Sequence, residues 1–201
     1  MAEIESVSER EIRSALDVHD HERAAVLTLR AYADELLGFL IAQLRDVEQA
    51  REVFARFAED LWQSLPTLTL RSTMRAYCYA LARHAAHRFL DRDVRKQRRG
   101  VALSAVLSEL VAAPATRTAE HVRTESRSRI AALRERLAPD ERELLTLRVD
   151  RGLSWSEIAD ALAVGEEELT RAAARHRKRF QLVKDKLARW AREEGIVPGD
   201  E

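Results

Sequence analysis

The chain has 201 residues, 34 basic against 34 acidic side chains, 46% hydrophobic residues, and only six Gly and four Pro. That mix excludes a disordered or a fibrous chain, and the single cysteine, Cys78, excludes an internal disulfide and a thiolate zinc site. No signal-peptide pattern opens the sequence and no apolar run approaches membrane-spanning length, so a cytoplasmic protein without membrane insertion is expected.

The zero net charge hides a polarity. Residues 1–62 carry 14 acidic and 7 basic side chains, residues 71–99 carry 9 basic and 2 acidic, and residues 171–189 carry 8 basic and 1 acidic. A single charge run is usually a solvated face, but two basic helical runs on a neutral chain point to two contacts with a polyanion. Ala, Leu, Arg and Glu dominate, all good helix formers, and alternating Val/Ile/Thr runs are absent. The expected fold is all-α: two small helical domains joined by a flexible linker, the C-terminal one a helix-turn-helix.

In chain order, residues 1–23 form an acidic N-terminal extension with one short helix. From Ala24 to Leu44 the positions Ala25, Leu29, Tyr32, Leu36, Leu37, Leu40 and Leu44 recur at three- and four-residue steps, which predicts an amphipathic helix. A second helix is predicted over Val47–Ser64, with Ala50, Val53, Phe54, Phe57, Leu61 and Trp62 inward, and Pro66 ends it. A third runs from Ser72 to about Lys96, its stripe Met74, Tyr77, Cys78, Leu81, Ala85 and Phe89, its other faces rich in arginine. These helices make a first domain, 24–98. Residues 99–127, with Gly100, Pro114 and an Ala/Thr/Ser-rich stretch, read as a linker holding one short helix around Leu103 to Val111.

The second domain is 128–201. A helix begins near Ser128. Pro139 suits the first turn of the next, followed by Asp140 and Glu141 at its positive end, and Gly152 is its C-cap. Ser154-Trp155-Ser156-Glu157 is a capping box that launches a helix to Leu162. Ala163-Val164-Gly165 makes a tight turn, and a last helix runs from Glu166–Glu168 toward Glu193. A short helix, a three-residue turn and a second helix form a helix-turn-helix, with Ala159 permitting close approach and Ile158, Leu162, Val164 and Leu169 closing its core. The bland alternative is an ordinary packed helix pair. On the DNA reading, Thr170, Arg171, Ala174 and Arg175 read base edges in the major groove, and Arg177, Lys178 and Arg179 neutralise phosphates. Glu166, Glu167 and Glu168 suit the helix dipole but repel phosphate. The stripe Leu169, Ala173, His176, Phe180, Val183, Leu187 and Trp190 outlasts a recognition helix; it reads as internal packing, with helical self-association through the C-terminal helix as the alternative.

These residues resemble the extracytoplasmic-function (ECF) sigma factors of bacterial RNA polymerase. The likeness rests on Leu137-Ala138-Pro139, Arg142-Glu143, Leu145, Leu147-Arg148, then Gly152-Leu153-Ser154-Trp155-Ser156-Glu157-Ile158-Ala159 and Leu162. More loosely, Asp46, Glu48, Ala50, Glu52, Val53 and Trp62 echo the family's second helix, and Arg75, Tyr77, Tyr79, Leu81, Ala82, Arg83 and Leu90 its third. The resemblance implies a transcription initiation factor, not an enzyme, whose partners are promoter DNA, core RNA polymerase and an anti-sigma factor of the kind common in the family. It puts minus-ten contacts at Arg75, Tyr77, Arg83, His84, His87 and Arg88, with one of Tyr77 and Tyr79 serving the core instead. The minus-thirty-five contacts fall on the recognition helix, including Glu168. The polymerase-binding patch falls at Asp46, Glu48, Glu52, Ala55 and Arg56.

Some positions depart from the family pattern. Ala55 and Arg56 stand where the family has Gln and Glu, so a carboxylate facing the polymerase clamp has become a cation. The usual aspartate of the third helix falls at Arg88, and the usual Thr, Ser and Arg of the recognition helix at Glu168, Arg171 and Ala172. These changes keep open a sigma-like DNA-binding regulator, or a protein-interaction decoy, that does not engage core polymerase. No nucleophile arrangement or phosphate loop is present, Glu157 and Asp160 read as surface charges, and His84 and His87 lack the accompanying carboxylates of a metal site, so neither metal nor cofactor is expected.

Overall fold

The computed structural model describes residues 7–100, 129, 131–163 and 168–196, with the side chains of the long basic helix followed as far as Arg92. The described residues are helical, with no strand among them. In chain order the helices are α1 (Val7–Asp17), α2 (His21–Leu44), α3 (Val47–Ser64), α4 (Met74–Gly100), α5 (Pro139–Leu145), α6 (Trp155–Ala161) and α7 (Leu169–Glu193). A short helical stretch over 131–135 precedes α5. Helix α4 continues past Lys96, where its end was expected, and takes in residues 99 and 100 of the expected linker; the rest of that linker with its short helix, the turn residues Val164 and Gly165, and Glu166 and Glu167 lie outside the described residues.

Local chemistry accounts for the helix ends. Asp20 caps α2 by accepting from the Arg23 amide at 3.0 Å, and Asp46 caps α3 by accepting from Gln49 at 2.9 Å. Between them Arg45 takes a left-handed conformation, φ 57°, and its N–H donates to the Ile41 carbonyl, which folds α2 and α3 into a tight antiparallel pair. A single 3₁₀ turn, Leu65–Thr67, follows α3 at Pro66. Pro139 opens α5, whose last turn widens into π-helical form over Thr146–Asp150 before Gly152 reverses the chain at φ 66°. The capping box at α6 is complete: the Glu157 amide donates to Ser154 Oγ at 3.2 Å and the Ser154 amide to Glu157 Oε2 at 2.9 Å.

One apolar cluster joins both halves of the sequence. Ile12 of α1, Leu36, Phe39 and Leu40 of α2, Val53, Phe57 and Leu61 of α3, and Met74, Cys78, Tyr79 and Ala82 of α4 are buried together with Leu144, Leu147, Leu153, Ile158 and Ala161. Helix α4 lies at its centre, packed by α2 and α3 on one side and by α6 on the other. A smaller cluster forms where α7 sets Val183 and Phe180, with Leu187 and Trp190, against Leu137 and Leu145. The long α7 stripe therefore has a partner inside the chain.

The predicted stripes need correction at several positions. Trp62 is 53% exposed rather than inward. Ala50, Val53, Phe57 and Leu61 already define the buried line of α3, and Trp62 lies one residue, about 100°, further round. On α2, Leu29, Leu37 and Leu44 are half-buried while Thr28 and Phe39 are buried. On α4, Tyr77, Leu81 and Phe89 are half-buried, and Ala76, Tyr79, Ala82 and Ala86 join the core, because this helix is covered from two directions. The acidic N-terminal segment is packed as well: α1 buries Ile12 and Ala15, and the Glu9 carboxylate accepts from Tyr32 Oη at 2.6 Å and from the Met74 amide at the start of α4.

These burial assignments are testable by urea denaturation. Phe57→Ala should cost about 3–5 kcal/mol, as truncation of a buried aromatic does. Trp62→Ala should cost less than about 1 kcal/mol, as surface changes usually do. Equal losses at the two positions would mean that Trp62 is part of the core.

Candidate nucleic-acid interface

Helix α7 presents two chemically different sides. Ala172, His176 and Val183 are buried, whereas Glu168, Thr170, Arg171, Ala174, Arg175, Arg177 and Lys178 are exposed. Arg179 is half-buried and pairs with Asp140 at the start of α5. That pairing holds the Asp140 carboxyl below its ordinary range. Lys186, two helical turns further along, donates to Glu141 Oε2 at 2.9 Å and likewise lowers Glu141. The two carboxylates expected to complement the α5 dipole thus also anchor α7. The expected base readers and most of the expected phosphate contacts share one solvent-facing side. Glu168 takes the N-cap position without a side-chain capping bond.

Trp155, the first residue of α6, fixes the back of this arrangement. Its ring meets Phe180 edge-on at 5.4 Å, and the guanidinium groups of Arg148 and Arg177 lie 4.7 and 5.8 Å from its centroid. The capping-box helix and the basic helix are thereby locked through an aromatic residue rather than through Ala159 alone, which is buried as expected.

The expected minus-ten residues on α4 fall into two groups. His84, His87 and Arg88 are exposed and line a shallow groove with Arg83 and Asp91; Arg88 also pairs with Asp60 of α3. His84 lies below its ordinary pKa because of partial burial and the neighbouring Arg83, Arg88 and His87. Arg75 and Arg83, by contrast, turn inward. Arg75 pairs with Glu35 of α2 and donates to the Arg151 carbonyl at 2.5 Å. Arg83 Nε donates to both oxygens of Glu143 at 3.0 and 3.1 Å. Tyr77 is half-buried, and Tyr79 is the core member of the pair, 1% exposed, donating to Glu35 at 2.6 Å. Burial and the Glu35 carboxylate together push the Tyr79 phenol up.

The expected polymerase patch lies along α3. Asp46 is its N-cap, Glu48 pairs with Arg51 at 2.7 Å, and Glu52 pairs with Arg56 at 2.5 Å beside exposed Ala55. Glu35 and Glu143, which hold Arg75 and Arg83, carried no site assignment from the sequence. Glu35 is a single carboxylate on an amphipathic helix with no local motif, and Glu143 lies in the Arg142-Glu143 stretch of the resemblance, which says nothing of a partner on α4. Glu157 and Asp160, expected as surface charges, are half-buried and accept from Thr73 Oγ1 at 3.0 Å and Ser72 Oγ at 2.8 Å.

Among the described residues, no helix is long and apolar enough to cross a membrane and no cluster of His, Cys, Asp and Glu is arranged to hold a metal ion. No protein-family model matches the chain, and no curated protein matches it either.

The Glu35 network gives a stability prediction. Glu35→Gln leaves the half-buried Arg75 without a charge partner and replaces an ionic acceptor of Tyr79 by a neutral one. A loss of about 1–3 kcal/mol is expected, read by chemical denaturation at neutral pH. An unchanged midpoint would show that Arg75 is fully hydrated.

Proposed function

We propose that this chain is a DNA-binding transcription initiation factor of the ECF sigma type, a two-domain protein whose α6 and α7 act as a helix-turn-helix. In this reading it directs core RNA polymerase to promoters and performs no catalysis itself. The observation that carries the reading is the segregation on α7: Thr170, Arg171, Ala174, Arg175 and Lys178 share an exposed side while Ala172, His176 and Val183 anchor the opposite one. A helix so anchored can offer that side to a major groove without giving up its packing. The exposed His84, His87 and Arg88 on α4 supply a second surface of hydrogen-bond donors with one guanidinium, suited to the backbone of a melted strand.

The mechanism divides by residue type. Arg171 and Arg175 are the fork-shaped donors able to read guanine edges; Thr170 and Ala174 fit between them against smaller groups. Arg177 and Lys178 act on phosphates and give salt dependence rather than sequence choice. Binding of Arg175 to a base predicts that Arg175→Ala lowers affinity for a selected site by about 1–3 kcal/mol, measured by fluorescence anisotropy. Lys178→Ala should weaken selected and random DNA alike. Full affinity in the Arg175 variant would remove that residue from the base-reading set.

A second reading has its own observation. The carboxylates of the expected polymerase patch are paired within α3, Glu48 with Arg51 and Glu52 with Arg56, and Ala55 adds no polar group. A chain with that surface suits a sigma-like regulator or decoy that leaves core polymerase alone. Co-elution with core polymerase on a sizing column separates the two. The sigma reading expects co-elution of the native chain, and tighter binding by Arg56→Glu, which restores a carboxylate facing a basic clamp. Failure of the folded native chain and of this variant to co-elute favours the regulator.

A further inference from the structure

The side of α4 that faces α6 and the start of α5 is chemically one-sided. The bonds that Ser72, Thr73, Arg75 and Arg83 make to these elements all have the donor on the α4 side and the acceptor on the C-terminal side. Ser72 donates to Asp160, Thr73 to Glu157, Arg75 to the Arg151 carbonyl, and Arg83 to both oxygens of Glu143. Inside this polar rim the contact is apolar, with Leu144, Leu147, Leu153, Ile158 and Ala161 in the same buried cluster as Tyr79 and Ala82. An apolar centre with a polar, charge-complementary rim is the anatomy of an interface between separable bodies rather than of a domain interior. Arg83 Nε shares its one N–H between both Glu143 oxygens, a charge-assisted contact of the kind an arginine also offers a phosphate.

We propose that the C-terminal helices form an autoinhibitory mask over α4, in which Glu143, Glu157, Asp160 and the Arg151 carbonyl occupy the donors that a nucleic-acid backbone takes when the mask lifts. The consequence for DNA rests on the reading given above, whereas the mask itself rests on the contact. In the masked form His84, His87 and Arg88 meet a strand while Arg83 is held by Glu143; Arg75 loses its bond to the Arg151 carbonyl when the mask lifts but keeps Glu35 of α2. Binding through all of α4 therefore requires the C-terminal helices to move, and the equilibrium between the two forms sets the apparent affinity.

Two variants release the mask without touching any expected DNA contact. Glu143→Gln removes the charge that holds Arg83. Gly38→Leu acts from the neighbouring helix: a Cβ at Gly38 would already lie 3.2 Å from the Arg151 guanidinium, so a larger side chain crowds the Arg151 side chain at this contact while favouring α2 as a helix. Exposed Val47 and Leu182 accept a dye pair after Val47→Cys and Leu182→Cys, since the native Cys78 is buried and not labelled. The experiment measures energy transfer between these dyes in the full chain and affinity for random single-stranded DNA, with helicity checked by circular dichroism.

The expected result is a changed transfer efficiency in both variants and affinity raised about tenfold, the gain when a minor open form becomes the major one. The same change in transfer should appear in the native chain when it binds the strand. Unchanged transfer together with unchanged affinity in both folded variants would overturn the mask. If transfer changes in both variants but no form of the protein binds DNA, the mask stands and the DNA reading falls.

Discussion

Helix α4 has to satisfy neighbours on two sides, and the rest of the structure follows from how it does so. A helix covered by α2 and α3 on one flank and by α6 on the other cannot keep a single narrow apolar stripe. It meets the demand with small residues, Ala76, Ala82, Ala85 and Ala86, which allow close approach, and with Met74, Cys78 and Tyr79, which fill the spaces between. Tyr79 spans both environments. Its ring packs edge-on against Phe39 at 5.1 Å, and its hydroxyl reaches Glu35. Because α4 also carries many of the arginines, the same packing decides which cations remain available to a ligand.

Charge burial along α4 is managed by pairing. Arg75 with Glu35 and Arg83 with Glu143 are side-chain pairs largely withdrawn from water. Such pairs add little net stability over an apolar contact of the same volume, but losing one member leaves a costly buried charge. Their effect is to fix which face of α4 meets which helix. The exposed pairs on α3, between Glu48 and Arg51 and between Glu52 and Arg56, lie in water and contribute little to the fold; they matter for what a partner would meet at that surface.

Much of the architecture was legible locally. The bounds of α3, the proline-led start of α5, the left-handed Gly152 and the Ser154–Glu157 capping box were all readable, because each depends on residues within one or two helical turns. The exposed side of α7 was legible for the same reason: a repeat of three and four residues separates His176 and Val183 from Arg171, Arg175 and Lys178, although Ala172 is buried where the stripe had Ala173, which is half-buried. Less legible was α1, whose acidic composition suggested a solvated extension, while Glu9 is drawn inward by Tyr32 and by the unpaired amide at the start of α4. Trp62 was misassigned because a periodic count marks every apolar residue near a stripe as inward, without knowing how wide the neighbouring helices are.

The sequence by itself determined the helices, their caps and the placement of basic residues on α4 and α7, since propensity, periodicity and capping act over a few residues. Only the tertiary structure decided which of those basic residues face solvent. Arg75 meets Glu35 forty positions away, and Arg83 meets Glu143 sixty positions away. A local pattern shows that an arginine lies off the apolar face, but not that a distant carboxylate will be folded against it. The division of α4 into buried and exposed cations is therefore a property of how the helices pack, not of the order of residues along any one of them.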